Sequence, residues 1–296
     1  MGGGGVAGNG IFTIGSGAFF RASAISGGGW ASAVYCFYQP DGAPNAPRDD
    51  DELLGGPLRK ELGVYSHGGP RNLLDKAECR AWADSVKAAP EKFTAFKFGF
   101  GMPGGRRSGG AVAGGARAPF SPTLDGAVFR KTAHEYANLR EALGEEIDIA
   151  MHCTGQFDLR SSIGLCKAIE PADPLWIEDP LTVRYSDAWK ELKRSTRVPV
   201  LAGEKVELTE GFRPYLDNQV LDMIHPDVAY SGGITGCKRI AAYAAMTRIP
   251  MGLHSGPCSL IRFYASAHLG AAVENFFKIE NVRGFKEMAG MVQGKE

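Results

Sequence analysis

Six titratable residues, His152, Glu178, Glu204, Asp227, His254 and Glu280, recur along this 296-residue chain about one β/α unit apart. Each closes a short apolar run: AMH, LWIE, VLAGE, MIHPD, MGLH and FFKIE. Lys97 closes FTAFK in the same manner, one longer gap earlier. Carboxylates, imidazoles and amines are the groups that hold cations and move protons. Glu178 and Glu204 end neighbouring runs, and two carboxylates brought to one point repel unless a cation or a shared proton lies between them. A divalent metal is the natural occupant, since Mg²⁺ takes oxygen ligands and keeps several waters. His152, from the preceding run, adds a nitrogen and opens the site to Mn²⁺, Fe²⁺ or Zn²⁺. Asp227 and His254 pair a carboxylate with an imidazole, which fixes the tautomer of a proton carrier. Lys97 is a candidate base if a dry site removes its proton; otherwise it balances the two glutamates. Glu280 is a candidate donor to a substrate oxygen if burial keeps it protonated. A cation beside bases and an acid suits proton abstraction next to a carboxylate, because the enediolate needs positive charge close by.

These groups need elements that bring them together. A spacing of roughly 26 residues fits a strand, a turn, a helix and a turn. Eight candidate strands follow, at 62–67, 93–100, 147–154, 175–179, 200–205, 222–228, 250–255 and 276–280. Side chains two apart share a strand face. Ala95, Lys97 and Gly99 therefore share one face, as do Ala150, His152 and Thr154, then Met223, His225 and Asp227, and finally Phe276, Lys278 and Glu280. Closing the strands into a ring gathers the polar ends at one mouth, which describes a (β/α) barrel with its site at the C-terminal rim. His225 and Thr154, on these inward faces, are expected to touch substrate. Apolar stripes predict helices over 123–143 (Val128, Tyr136, Leu139, Leu143) and 233–247 (Ile234, Cys237, Ala241, Ala244). Asp158 and Ser186 are expected helix N-caps, and the aperiodic stretch 101–122 reads as either a mobile lid on the rim side or a disordered loop.

Composition narrows the classes. Lys plus Arg equals Asp plus Glu at 33 each, so no basic field favours nucleic acid. Six cysteines without a CxxC pair predict reduced thiols and a cytoplasmic location. MGGGGVAGNG has no charged segment before an apolar core, so no signal peptide is expected. No apolar run approaches about 18 residues, so no membrane span is expected. Residues 1–53 are rich in Gly, Ala and Ser and are read as a poorly defined remnant, with the barrel domain at 54–296.

WIEDP at 176–180, GEK at 203–205, IHPDVAYSGGITGCKRIA at 224–241 and LHSGP at 253–257 resemble the mandelate racemase-like branch of the enolase superfamily. The nearest likeness is to its sugar-acid dehydratases, which act on galactonate and gluconate. The resemblance runs from about Leu53 to Glu280. It implies an α/β fold, a modified (β/α)7β barrel with a capping domain, bound Mg²⁺, and conversion of a small sugar acid to a 2-keto-3-deoxy acid, often in a homo-oligomer. It implies metal ligation by Glu178 and Glu204, an Asp227–His254 dyad, an acid at Glu280, and in Lys97 the first lysine of a lysine-x-lysine motif. Three departures stand out. His152 replaces the usual first carboxylate ligand, with Thr154 where a base is usual. Gly99 replaces the second lysine, and the capping domain is expected to be truncated or missing. A racemase or epimerase of the same superfamily shares the first chemical step. A decayed, non-catalytic barrel would show the same departures. A barrel metallohydrolase would need an HxH pair on the first strand, where YSHGG offers only His67.

Overall fold

The computed structural model describes residues 6–7, 11–13, 54–100, 123–256 and 260–281. Ten strands occur there: β1 (Val6–Ala7), β2 (Ile11–Thr13), β3 (Glu61–His67), β4 (Ala95–Gly99), β5 (Asp148–His152), β6 (Trp176–Glu178), β7 (Val200–Ala202), β8 (Met223–Ile224), β9 (Met251–Leu253) and β10 (Phe276–Asn281). Strands β3 to β10 run parallel in the order β3-β10-β9-β8-β7-β6-β5-β4, and a β3–β4 pairing closes the ring. Seven helices connect them in alternation: α1 (Lys76–Ala88), α2 (Gly126–Leu143), α3 (Leu159–Ile169), α4 (Ala188–Ser195), α5 (Leu208–Asp217), α6 (Gly233–Met246) and α7 (Leu260–Ala271). Eight parallel strands and seven helices make the expected (β/α)7β barrel. The expected remnant holds β1 and β2, an antiparallel pair whose second strand lies against β3, with Ile11 opposite Gly63.

Alternation along each strand sorts the side chains into two cores. The outward set includes Leu62, Val64, Phe96, Phe98, Ile149, Met151, Ile177, Val200, Ile224, Met251 and Ile279, which pack against the helices. The inward set is a small cluster of Tyr65, Ala95, Ala150, Trp176, Leu201 and Met223 inside the ring. One expected face is corrected. The register between β9 and β10 shifts between Phe276 and Ile279, so three residues of β10 span two of β9. Phe276 consequently packs with the outer core and Phe277 with the inner one, while Glu280 still points inward.

The helices carry their signals locally. Asp75, Asp125 and Asp158 cap α1, α2 and α3 by accepting from exposed first-turn amides. Ser186 does not cap α4. Asp187 stands at that position without a side-chain cap, and Ser186 contributes its carbonyl to Trp189 N–H at 3.1 Å. Helix α2 buries Tyr136, Leu139 and Leu143, and α6 buries Cys237, Ala241 and Ala244, as their stripes require. Cys79, Cys153, Cys166 and Cys237 are buried free thiols. Among the described residues no helix is long and apolar enough to cross a membrane. The stretch 101–122, read as a lid or a disordered loop, lies outside the described residues.

Candidate active site

The C-terminal ends of the strands supply the polar groups. Lys97 comes from β4, His152 from β5, Glu178 from β6 and Glu280 from β10. Glu204 follows β7, His225 and Asp227 follow β8, and His254 follows β9. Gly203 aims Glu204: its φ is +140°, and a Cβ there would lie 2.8 Å from Phe212 Cε1 and 3.0 Å from the His225 amide nitrogen. Only glycine fits that turn.

One oxygen from each of Glu178 and Glu204 and one nitrogen of His152 lie within 4.8 Å of one another. His152 Nε2 is 3.7 Å from Glu178 Oε1 and 3.5 Å from Glu204 Oε2. Both His152 nitrogens are buried and lack hydrogen-bond partners among the described residues. An orphaned imidazole between two carboxylates is a donor set that fits a divalent cation.

Lys97 is 1% exposed and bridges two carboxylates, Glu178 Oε1 at 3.0 Å and Glu280 Oε1 at 2.9 Å. Burial pulls its ammonium down, but Glu178, Glu280 and Glu204 outweigh burial and hold it above the ordinary lysine range. Burial pushes Glu178 up, yet Lys97, His152 and His225 bring it below the ordinary carboxylate range. Glu280 is lowered in the same way, burial being overcome by Lys97 and His254. Lys97 thus forms one ion-paired set with Glu178 and Glu280, each charge supported by the others against burial. Glu204 is also held low, burial being offset by His152, His254 and Lys97.

Across the mouth, His254 Nδ1 donates to Asp227 Oδ2 at 2.5 Å. Its Nε2 projects between Glu204 Oε2 and Glu280 Oε2, each at 3.4 Å. Burial lowers the His254 pKa, but Glu280, Asp227 and Glu204 together raise it above the ordinary histidine value. His254 is also the most open of the strand-end groups, its side chain 15% exposed against 0–9% for Lys97, His152, Glu178, Glu204, Asp227 and Glu280.

The two residues expected to touch substrate sit differently from each other. His225 is fully enclosed, with Nε2 2.9 Å from the Tyr65 hydroxyl and Nδ1 3.4 Å from Glu178 Oε1. Thr154 lies at the rim with φ +59°, its hydroxyl donating to the Cys153 carbonyl at 2.7 Å. Other residues complete the surroundings, of which Arg262, Asp179 and Trp176 were not singled out from the sequence. Arg262 of α7 donates to Asp227 Oδ2 at 3.0 Å; a lone arginine in the apolar LIRFYASAHLGA was its only signal. Lys205 holds Glu204 Oε1 at 2.6 Å and stands 3.7 Å from Asp179. Asp179 is fully buried, and burial together with Glu204 pushes its carboxyl up to about 7. Trp176 Nε1 donates to Glu178 Oε2 at 3.3 Å.

Comparison with known proteins places this geometry in context. The family described as enolase C-terminal domain-like matches residues 78–294. D-xylonate dehydratase of Haloferax volcanii is 31% identical over 231 residues, 77% of this chain and 53% of that protein. D-galactonate dehydratase of Pectobacterium atrosepticum is 29% identical over 225 residues, 76% of this chain and 53% of that protein. The chain thus spans about half the length of these curated relatives. A solved mandelate racemase/muconate lactonizing enzyme-like protein from Rubrobacter xylanophilus superposes with a TM-score of 0.67 at 30% identity, covering 78% of this chain and 60% of that one.

Proposed function

The chain belongs to the enolase C-terminal domain-like family, and from that premise we propose a metal-dependent dehydratase acting on a hydroxylated carboxylic acid of the sugar-acid class. The names of the dehydratase relatives support the substrate class. One observation carries the assignment: His254 Nε2 faces the mouth 3.4 Å from Glu204, a member of the candidate metal cluster, while Asp227 anchors the opposite ring nitrogen.

His152, Glu178 and Glu204 would hold the cation, with Mg²⁺ the family's usual choice and the nitrogen donor extending the range to Mn²⁺, Fe²⁺ or Zn²⁺. A bound divalent cation would supply positive charge to the substrate carboxylate and so ease loss of the α-proton. The remaining roles fall to the chain's own side chains. His254 takes the α-proton at Nε2 and returns a proton to the departing β-hydroxyl. Asp227 keeps Nδ1–H in place and stabilises the imidazolium between those two events. Lys97 stays charged and contributes positive potential beside Glu178 and Glu280. Thr154 is no base, so a single imidazole serves both proton transfers.

The test is purified protein loaded with Mg²⁺ or Mn²⁺ and challenged with a panel of sugar acids, with detection of 2-keto product. His254→Gln should cut turnover by about 10²–10⁴-fold while cation affinity stays within a few-fold. Undiminished turnover in that variant, or no cation binding by the wild type up to millimolar concentration, refutes the proposal.

A further inference from the structure

Beneath the candidate metal ligands lies a hydrogen-bonded layer that the chemistry above leaves unassigned. Tyr65 reaches across the barrel interior from β3. Its hydroxyl is 2.9 Å from His225 Nε2, its ring meets Trp176 edge-on at 5.1 Å, and Lys97 Nζ lies 5.5 Å from its ring centre. Tyr65 and His225 are 1% and 0% exposed, so both lie out of reach of bulk solvent. His225 Nδ1 has no partner of good hydrogen-bond geometry among the described residues, and Glu178 Oε1 faces it at 3.4 Å.

The direction of the protons follows from the chemistry of the groups. A carboxylate only accepts, so a bare Nδ1 lone pair facing Glu178 would be repelled. The stable arrangement therefore carries the proton on Nδ1. Nε2 then offers its lone pair to the Tyr65 O–H. Burial, reinforced by Glu280, Glu178 and Glu204, keeps that phenol protonated and able to donate. Glu178 is held at both oxygens, by Lys97 at Oε1 and by Trp176 at Oε2, and the His225 Nδ1 proton faces Oε1 from 3.4 Å.

We infer that Tyr65 and His225 form a directed pair that positions Glu178 and thereby sets the divalent-cation affinity of the His152–Glu178–Glu204 cluster. The inference rests on the metal site proposed above. His225 is in this account a positioning residue, neither a ligand nor a substrate contact. Groups that orient a ligand from behind typically change metal affinity by about 10–100-fold when removed.

The experiment is Mn²⁺ titration of the full chain by calorimetry, for the wild type and for His225→Leu, His225→Asn and Tyr65→Phe. The Asn amide can place a donor near the Nδ1 position, whereas Leu cannot. Affinity is expected to fall about 10–100-fold in His225→Leu, less in Tyr65→Phe, and to recover towards wild type in His225→Asn. A purely packing role would penalise Asn at least as much as Leu. In parallel, ¹⁵N-resolved NMR of the wild type should report His225 protonated at Nδ1 without metal, with no large Nδ1 shift when Cd²⁺ is added. Equal affinities across the series, equal losses in Leu and Asn, or a proton on Nε2 instead of Nδ1 would overturn the inference. A large Nδ1 shift with Cd²⁺ would overturn it in favour of direct ligation. Should His225→Leu fail to fold, Tyr65→Phe and the wild-type spectrum still decide. No Mn²⁺ binding by the wild type defeats the metal site itself, whereas binding that ignores both residues defeats only the positioning role.

Discussion

Replacing Lys97 by methionine tests the electrostatic centre of the site. The ammonium stands 3.0 Å and 2.9 Å from two carboxylates that are almost wholly buried. At an effective dielectric near 20, each contact at that separation is worth about 5 kcal/mol before desolvation is counted. Methionine fills a similar volume but leaves Glu178 and Glu280 facing each other without a cation. Removing one member of a buried pair costs about 3–5 kcal/mol, much of it the exposed cost of the charge left behind. The melting temperature of metal-free protein at pH 7.5 should therefore fall on the order of 10 °C. The sign of the pH dependence follows from the shifts. In the wild type both carboxyls are depressed, so their contribution is present above the ordinary value of about 4.3 and lost as pH falls through the depressed values. Lys97 is raised, so its own contribution holds below about 10.4 and is lost only as pH rises through the raised value. In Lys97→Met at least one carboxyl must rise instead, so the penalty is greatest at neutral pH and relaxes as that group takes a proton. Thermal unfolding of both proteins in chelator at pH 7.5 and 4.5 measures the gap. A gap of the same size at both pH values, or one below about 1 kcal/mol at pH 7.5, would refute the reasoning.

Two further perturbations separate catalysis from scaffold. Arg262→Leu removes one of two donors on Asp227 Oδ2 while His254 and the Ala229 amide remain. Turnover of whichever sugar acid proves to be a substrate should drop about tenfold, with Mn²⁺ affinity from calorimetry unchanged. Asp158→Ala deletes the acceptor of the Ser161 amide and of the Thr123 hydroxyl at the start of α3. It should cost about 1 kcal/mol in a denaturant melt and leave cation affinity alone.

The sequence could be read because much of what matters here is local. Alternation in FTAFKFG and IDIAMHCT assigns Lys97 and His152 to inward faces whatever the neighbouring strands are. A regular spacing of apolar runs is enough to count eight strands, and Asp158 next to an amphipathic stretch is enough to start a helix. The same local logic failed where one residue of slack enters. The irregular register of β10 turns Phe276 outward, and nothing in FFKIE announces it. Ser186 and Asp187 stand side by side with equal capping chemistry, and α4 begins after the second without a cap bond from its side chain.

Which residue types end the strands, and so the stock of acids, bases and ligands, was decided by the amino-acid sequence alone. Their partners and electrostatic surroundings were decided by ring closure. Lys97 meets Glu280 because β3 pairs with both β4 and β10, joining segments more than 180 residues apart. Tyr65 meets His225 across 160 residues, and Arg262 meets Asp227 from a helix whose composition is otherwise apolar. Electrostatic coupling falls with distance through space, not along the chain, so periodicity names the groups while only the closed barrel sets what each one feels.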